Sequence, residues 1–319
     1  MKQFFLTVFG GLMAIGIGVG IAYGGSVAWR SVRPLAVTTI QSLSAASEPL
    51  DQTDGTSISG LRRTVRYSAD EEEDLINEAA GALPQSPDSK ITAKAYIVKN
   101  LTLGDTTIQN NAQQLLPIAS LSKLVTAIVA RKLIAPDERI TITQDIMATY
   151  GNTAQFHIGE TFTASDLYYP LLMVSSNDTA EALARHYGRA KFIKAMNDFT
   201  QSIGAYRTYF DDPSGLSPNN ASTVNDLVLI VQWIRKNDPD IINITDLKSK
   251  TVRSHTWVNP THFLSWSYYI GGKNGYIPEA DRTGVSLFAL GPNKNIYIVV
   301  VLGSDNRDAD VIKLLSKVK

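Results

Sequence analysis

Three short islands carry side chains that can do chemistry together: Ser120-Leu121-Ser122-Lys123, Ser175-Ser176-Asn177 and Lys273-Asn274-Gly275. A serine hydroxyl is a poor nucleophile until a base takes its proton, and a lysine amine is such a base only when neutral. Burial disfavours the charged ammonium, and so does a second cation nearby. Ser120 and Lys123 stand three apart, so on a helix they share one face. Each island also has an ordinary reading. A Ser–Lys pair can sit on any amphipathic helix, a Ser-x-Asn pair can cap one, and Asn-Gly closes hairpins.

The segments around the islands supply the elements that must position them. Leu121, Leu124, Val125, Ala127, Ile128, Val129 and Leu133 predict a buried helix over about 120–134, with Pro117 at its entry. Ser120 then stands at a helix N-terminus. Residues 167–174 read as an apolar helix leading into Ser175, and 179–187 as the next helix. Residues 93–100 and 106–110 read as strands around Gly104-Asp105. Residues 210–220, with Pro213, Gly215 and Pro218, read as loop, and 223–235 as helix. Residues 267–275, 285–290 and 296–302 read as strands around turns at Lys273-Asn274-Gly275 and Gly291-Pro292-Asn293. Residues 308–319 close the chain as a helix. Strands at both ends with helices between predict an α+β fold, with a sheet whose edge pairs the two ends of the domain.

Composition excludes several classes. Thirty basic and thirty acidic residues leave a formal net charge of zero, so no nucleic-acid partner is expected. There is no cysteine, which rules out disulfides, thiolate zinc sites and a lipid-modified N-terminal cysteine, and suits an oxidising compartment. None of His157, His186, His255 and His262 sits in a recognisable metal or triad motif, and Gly-x-Ser-x-Gly is absent, so no metal and no cofactor are expected. Residues 4–29 carry no charge, and their length, about 25 residues, is enough to cross a bilayer core. Residues 1–30 are therefore read as a membrane anchor, retained in preference to a signal cleaved after Ser26-Val27-Ala28. Lys2 on one side and Arg30 and Arg33 on the other leave its orientation open. Residues 31–90 read as a linker, with a short helix near 69–80 announced by the capping-box pattern Ser68-Ala69-Asp70-Glu71. The main domain is expected at 91–319.

In this order the three islands resemble those of the penicillin-binding serine DD-peptidases, in particular the D-Ala-D-Ala carboxypeptidase and endopeptidase branch. The likeness covers about residues 92–319. It extends to residues 117–127, to 171–178, to Asp212-Pro213-Ser214-Gly215-Leu216 and to Gly271-Gly272-Lys273-Asn274-Gly275-Tyr276. The resemblance implies the serine β-lactamase/DD-peptidase-like fold, an antiparallel sheet with a helical region between its strands. It implies an acyl-enzyme mechanism on peptidoglycan stem peptides, inhibited by β-lactams. Ser120 would be the nucleophile, Lys123 its base, and Lys273 the second cation. Ser175 would relay a proton to the leaving amine, and Asn177 would hydrogen-bond the substrate backbone. The N–H groups of Ser120 and Tyr276 would form the oxyanion hole. Lys273 would favour the substrate carboxylate, and Gly275 would admit its backbone. A peptidoglycan substrate also implies that the single-pass anchor read at 4–29 holds the catalytic domain outside the cytoplasm.

Asn274 departs from the family's usual threonine. A carboxamide can also donate to a carboxylate, so activity with altered selectivity is expected. The second β-rich domain of some relatives is not expected after the catalytic domain, and tethering is expected to fall to the N-terminal segment. A β-lactamase on this fold would need a Glu-x-x-x-Asn pattern after the second island, and no clear candidate stands there. The other alternative is a non-enzymatic or weakly active wall-binding protein. Intact Ser120, Lys123, Ser175, Asn177 and Lys273 argue against it.

Overall fold

A computed structural model of the chain describes residues 90–318. The expected anchor at 1–30 and the helix near 69–80 lie outside the described residues. The first elements are β1 (Ala95–Asn100), β2 (Thr106–Asn110), β3 (Leu116–Pro117), α1 (Ser122–Leu133), β4 (Arg139–Thr141), α2 (Gln144–Met147) and β5 (Thr161–Thr163). Next come α3 (Ala164–Leu172), α4 (Asn177–Tyr187), α5 (Arg189–Ser202), β6 (Ala221–Ser222), α6 (Val224–Asn237) and α7 (Asp240–Thr245). The chain closes with β7 (Ser249–Val252), β8 (His255–Val258), β9 (Tyr269–Ile277), β10 (Asp281–Leu290), β11 (Asn295–Ser304) and α8 (Arg307–Leu315).

The apolar run in β11 explains the sheet. Ile298, Val300 and Leu302 enter the larger core, while Val299 and Val301 enter a second one. Successive side chains of a strand point to opposite faces, so an unbroken apolar run belongs to a strand covered on both. α8 covers one face with Val311, Ile312, Leu314 and Leu315, and the helical region covers the other. The sheet is antiparallel, in the order β2-β1-β11-β10-β9.

The two ends of the domain do pair, with Ala95 opposite Leu302, yet they meet inside the sheet and not at its edge. The largely exposed, polar β2 takes one edge and β9 takes the other. The junction is locked by Asp310, which is fully buried and accepts from Thr92 N (2.9 Å), Thr92 Oγ1 (2.7 Å), Ala93 N (2.8 Å) and Ser304 Oγ (2.6 Å).

α1 is buried on all sides from Ser122 to Ala130, as befits the central helix of the helical layer. Thr163 and Asp166 form a capping box that starts α3. α3 ends at Leu172, and Ser175 adopts a left-handed backbone conformation (φ 59°) before α4 begins.

A second expectation needs correction. Lys273-Asn274-Gly275 is not a turn; it is the interior of β9, opposite Val285, Gly284 and Thr283 of β10. The reversal falls between Ile277 and Asp281. The turn preference of Asn-Gly is local, and a full ladder of pairing with β10 overrides it. α5, α7 and the hairpin β7–β8 were not anticipated. α7 and the hairpin strands are too short to show a period.

Candidate active site

Ser120 lies in a 3₁₀ turn, Ala119–Leu121, that runs directly into α1. Ala119 has φ 49°, a conformation that costs an alanine of order 1–2 kcal/mol. The surroundings over-determine it. Ser122 Oγ donates to Ala119 O at 2.8 Å, and Asn220 Nδ2 donates to Ser122 Oγ at 3.0 Å. Gly215 (φ 84°) comes so close that a Cβ there would lie 1.9 Å from Ala119 O. Thr283 Oγ1 donates to Ile118 O at 3.0 Å and fastens the turn to β10.

The segment 211–220 is irregular but tightly bonded. Asp212 Oδ1 accepts from Ser214 N, Ser214 Oγ and Gly215 N, and its Oδ2 accepts from Ser217 N, at 2.6–2.7 Å. Asn220 Oδ1 accepts from Asp211 N and Asp212 N. This frame aims Ser214 O at the amine of Lys123, 2.6 Å away.

Lys123 has no exposed surface. Its Nζ lies 2.9 Å from Ser120 Oγ and donates to Asn177 Oδ1 (2.7 Å) and Ser214 O. Asn177 is oriented by its Nδ2, which donates to Tyr150 O at 2.8 Å. Burial lowers the Lys123 amine to a pKa of about 7, against the opposing pull of Asp212 and Asp178. The partners suit the neutral form. The two carbonyl oxygens can only accept, so they take the two N–H bonds of a neutral amine. Its lone pair then faces the Ser120 hydroxyl.

Lys273, also buried, donates to Ser175 Oγ and to Asn274 O, both at 2.8 Å. Burial holds it well below the usual lysine range, and the charges of Lys123 and Arg307 add to that. Arg307, at the start of α8, packs its stem on β10, where a Cβ on Gly284 would meet its Cδ at 2.5 Å. Ser176 has a different task from Ser175. It is fully buried, and its Oγ accepts from Thr179 N at 3.1 Å as the N-cap of α4.

β9 passes the serine as the edge strand of the sheet. A Cβ on Gly275 would lie 2.8 Å from Ser120 N and 2.6 Å from Thr283 Oγ1, so only glycine fits there. Asn274 is half-buried beside it, and Tyr276 is exposed with Arg282 over its ring at 5.6 Å.

All three islands therefore meet, joined by the pairs Ser120–Lys123, Lys123–Asn177 and Lys273–Ser175. The sequence reading missed the carbonyls of Ser214 and Tyr150, for which no side-chain signal exists. It noted Asp212 to Leu216 without a role, and passed over Asn220 and Arg307. Asp178 went unassigned too. It is buried with both carboxyl oxygens lacking hydrogen-bond partners, and burial pushes it up to about 6 against the pull of Lys123.

A family model described as D-alanyl-D-alanine carboxypeptidase matches residues 81–306. The chain is 32% identical over 192 residues to a D-alanyl-D-alanine endopeptidase of Escherichia coli K12, covering 58% of this chain and 59% of the relative. It is 32% identical over 237 residues to the carboxypeptidase DacB2 of Mycobacterium tuberculosis, covering 71% and 79%. The chain spans 56–66% of the length of the first four curated relatives it matches. A crystal structure of a D-alanyl-D-alanine carboxypeptidase from M. tuberculosis superimposes with a TM-score of 0.66 at 26% identity, over 73% of this chain and 93% of that one. Penicillin-binding protein D2 of Listeria monocytogenes, solved with cefotaxime bound, gives 0.65 at 26% identity, over 73% and 99%. The matched family stretch runs through every island of the cleft, from Ser120 to Tyr276, and the chain belongs to the D-alanyl-D-alanine carboxypeptidase family.

Proposed function

We propose that this chain is a serine D-Ala-D-Ala carboxypeptidase or DD-endopeptidase. It acts on peptidoglycan stem peptides through an acyl-enzyme on Ser120, and β-lactams acylate the same oxygen. The observation that carries this reading is the buried Lys123 amine, 2.9 Å from Ser120 Oγ, with both other partners able only to accept.

Lys123 takes the proton of Ser120 as Oγ attacks the carbonyl carbon of the scissile D-Ala-D-Ala bond. The developing oxyanion sits between the N–H groups of Ser120 and Tyr276. Ser175, hydrogen-bonded to Lys273, gives its hydroxyl proton to the leaving amine as the C–N bond breaks, and the proton that Lys123 took from Ser120 replaces it, which returns Lys123 to its neutral form. Water then attacks the ester, and its proton follows the reverse path. The free edge of β9 pairs with the extended peptide, and Gly275 permits the close approach. Asn177 Nδ2 has two hydrogens. Tyr150 O takes one, and the other serves the substrate backbone. An incoming carboxylate favours the charged form of Lys273, and Arg307 adds a second positive centre. Asn274 offers that carboxylate an amide donor in a different position from a hydroxyl.

Mass spectrometry of purified muropeptides after incubation with the full chain tests the proposal. Loss of one alanine identifies a carboxypeptidase, and a split cross-link an endopeptidase. Intact muropeptides and no β-lactam adduct would sink both in favour of a wall-binding protein. In the same assay Asn274→Thr should raise turnover of a free-carboxylate peptide relative to its terminal amide. An unchanged ratio means Asn274 does not face the carboxylate.

Residues 4–29 serve, in this reading, as a single-pass anchor that holds the catalytic domain outside the cytoplasm, where peptidoglycan lies. No helix among the described residues is long and apolar enough to cross a membrane. A reporter fused after Lys319 that works only outside the cytoplasm should be active; activity of a cytoplasmic reporter there overturns the placement.

A further inference from the structure

Away from the cleft, one cluster of side chains among the described residues has the chemistry of a metal centre. His157 and Glu160 lie between α2 and β5, and His255 opens β8. Glu160 Oε1 is 2.9 Å from His255 Nε2 and 3.6 Å from His157 Nδ1, and the three ligand atoms lie within 4.8 Å of one another. A tetrahedral zinc ion with bonds of about 2.0–2.1 Å sets its ligand atoms roughly 3.3 Å apart. The two measured separations bracket that value. The edges to His157 are the ones that must close up, and the His157 side chain, 80% exposed, has room to rotate.

The less mobile parts are already set. Glu160 Oε2 accepts from His157 N at 2.7 Å, which orients the carboxylate with Oε1 toward both imidazoles. The buried His255 ring stacks on Trp257 at 5.8 Å and is flanked edge-on by Phe156 and Phe162. The other two histidines differ. His186 meets Glu138 and His262 meets Asp308, each as a single imidazole on a single carboxylate.

We propose that His157 Nδ1, Glu160 Oε1 and His255 Nε2 bind one divalent transition-metal ion of the zinc class, with water in the fourth position. Two imidazoles and one carboxylate favour such an ion over magnesium or calcium, which take oxygen ligands. The location gives binding a consequence. The same loop carries Tyr150, whose carbonyl holds Asn177, and Ala154, whose carbonyl accepts from Trp257 Nε1 at 3.0 Å. A bound ion ties this loop to the β7–β8 hairpin and so braces the amide that faces Lys123. Without an ion, the His255–Glu160 hydrogen bond would be the cluster's whole role.

The full chain, in detergent and without a polyhistidine tag, is stripped with a chelator and titrated with Zn²⁺ against a chromophoric competitor. One equivalent is expected to bind. Co²⁺ in its place should give the intense visible bands of a low-coordinate site. His157→Ala removes an exposed side chain and leaves the Phe156, Phe162 and Trp257 packing on His255 in place. It should weaken Zn²⁺ binding by at least the roughly 10–100-fold that loss of even an outer-shell partner costs. His262→Ala should leave binding unchanged. Absence of stoichiometric binding, or equal affinity in His157→Ala and the parent, overturns the proposal.

Discussion

Ser120→Ala is expected to abolish covalent labelling by a fluorescent penicillin and to lower peptide hydrolysis by about 10⁶-fold, the loss seen when the nucleophile of a coupled hydroxyl–base unit is removed. No neighbouring hydroxyl can take over. Ser122 Oγ is committed to Ala119 O and Asn220, Ser176 Oγ caps α4, and Ser175 Oγ is held by Lys273. The substitution deletes one oxygen from a half-buried position and leaves the backbone clamps at Ala119 in place. Thermal melting should therefore match the parent. The measurement is in-gel fluorescence, with intact-protein mass to count adducts. A label that survives in Ser120→Ala would move the nucleophile to another residue.

The base carries the second large effect. Lys123→Met keeps most of the buried stem and removes the amine. Acylation by penicillin should fall by about 10²–10⁴-fold, the range for losing a proton-transfer group. The pH dependence gives an independent handle. With a pKa of about 7, Lys123 is protonated and inert as a base below that pH, and neutral above it. The acylation rate of the parent should rise between pH 6 and 8 and then level, and Lys123→Met should lack the step. A parent rate flat across that window would mean that Lys123 is not the titrating base. Ser175→Ala should cost deacylation and peptide hydrolysis a similar 10²–10⁴-fold. Ser176→Ala should lower stability by about 1 kcal/mol, the usual worth of an N-cap, with turnover nearly intact. Equal loss of turnover in the two variants would merge their roles.

What the sequence showed best was what periodicity and side-chain type encode. The helix carrying Lys123, with Ser120 in the turn that enters it, the apolar strand at 296–302 and the α+β order of elements were all legible. The islands could be ordered, and their meeting anticipated by resemblance. Main-chain contributions were not legible. The carbonyls of Tyr150 and Ser214 belong to residues whose side chains say nothing of the task, and φ 59° at Ser175 has no glycine to announce it. Asn274-Gly275 misled for a physical reason. A two-residue preference for turning is smaller than the pairing of a nine-residue strand along β10. Arg307 was invisible because only its charge acts on Lys273, from the last helix, where it pairs with Asp308 and packs its stem on a glycine of a different strand.

The clasp at Asp310 bears on how the molecule comes to be active. Ala93 and Asp310 stand 217 positions apart and are joined at 2.8 Å. Closing so long a loop has an entropic cost that grows as about (3/2)RT ln n, and folds dominated by such distant pairings form slowly. α1 can form early from local contacts, while the turn that presents Ser120 to Lys123 waits for Gly215 and Thr283 to clamp it. Lys273, Gly275 and Arg307 reach them only after the last three strands dock on β1. A chain whose sheet is still open would hold Ser120 and Lys123 without Lys273 and Gly275, and is expected to react with penicillin only after the sheet has closed. The appearance of penicillin reactivity in a refolding sample is then a clock for the final closure of the sheet.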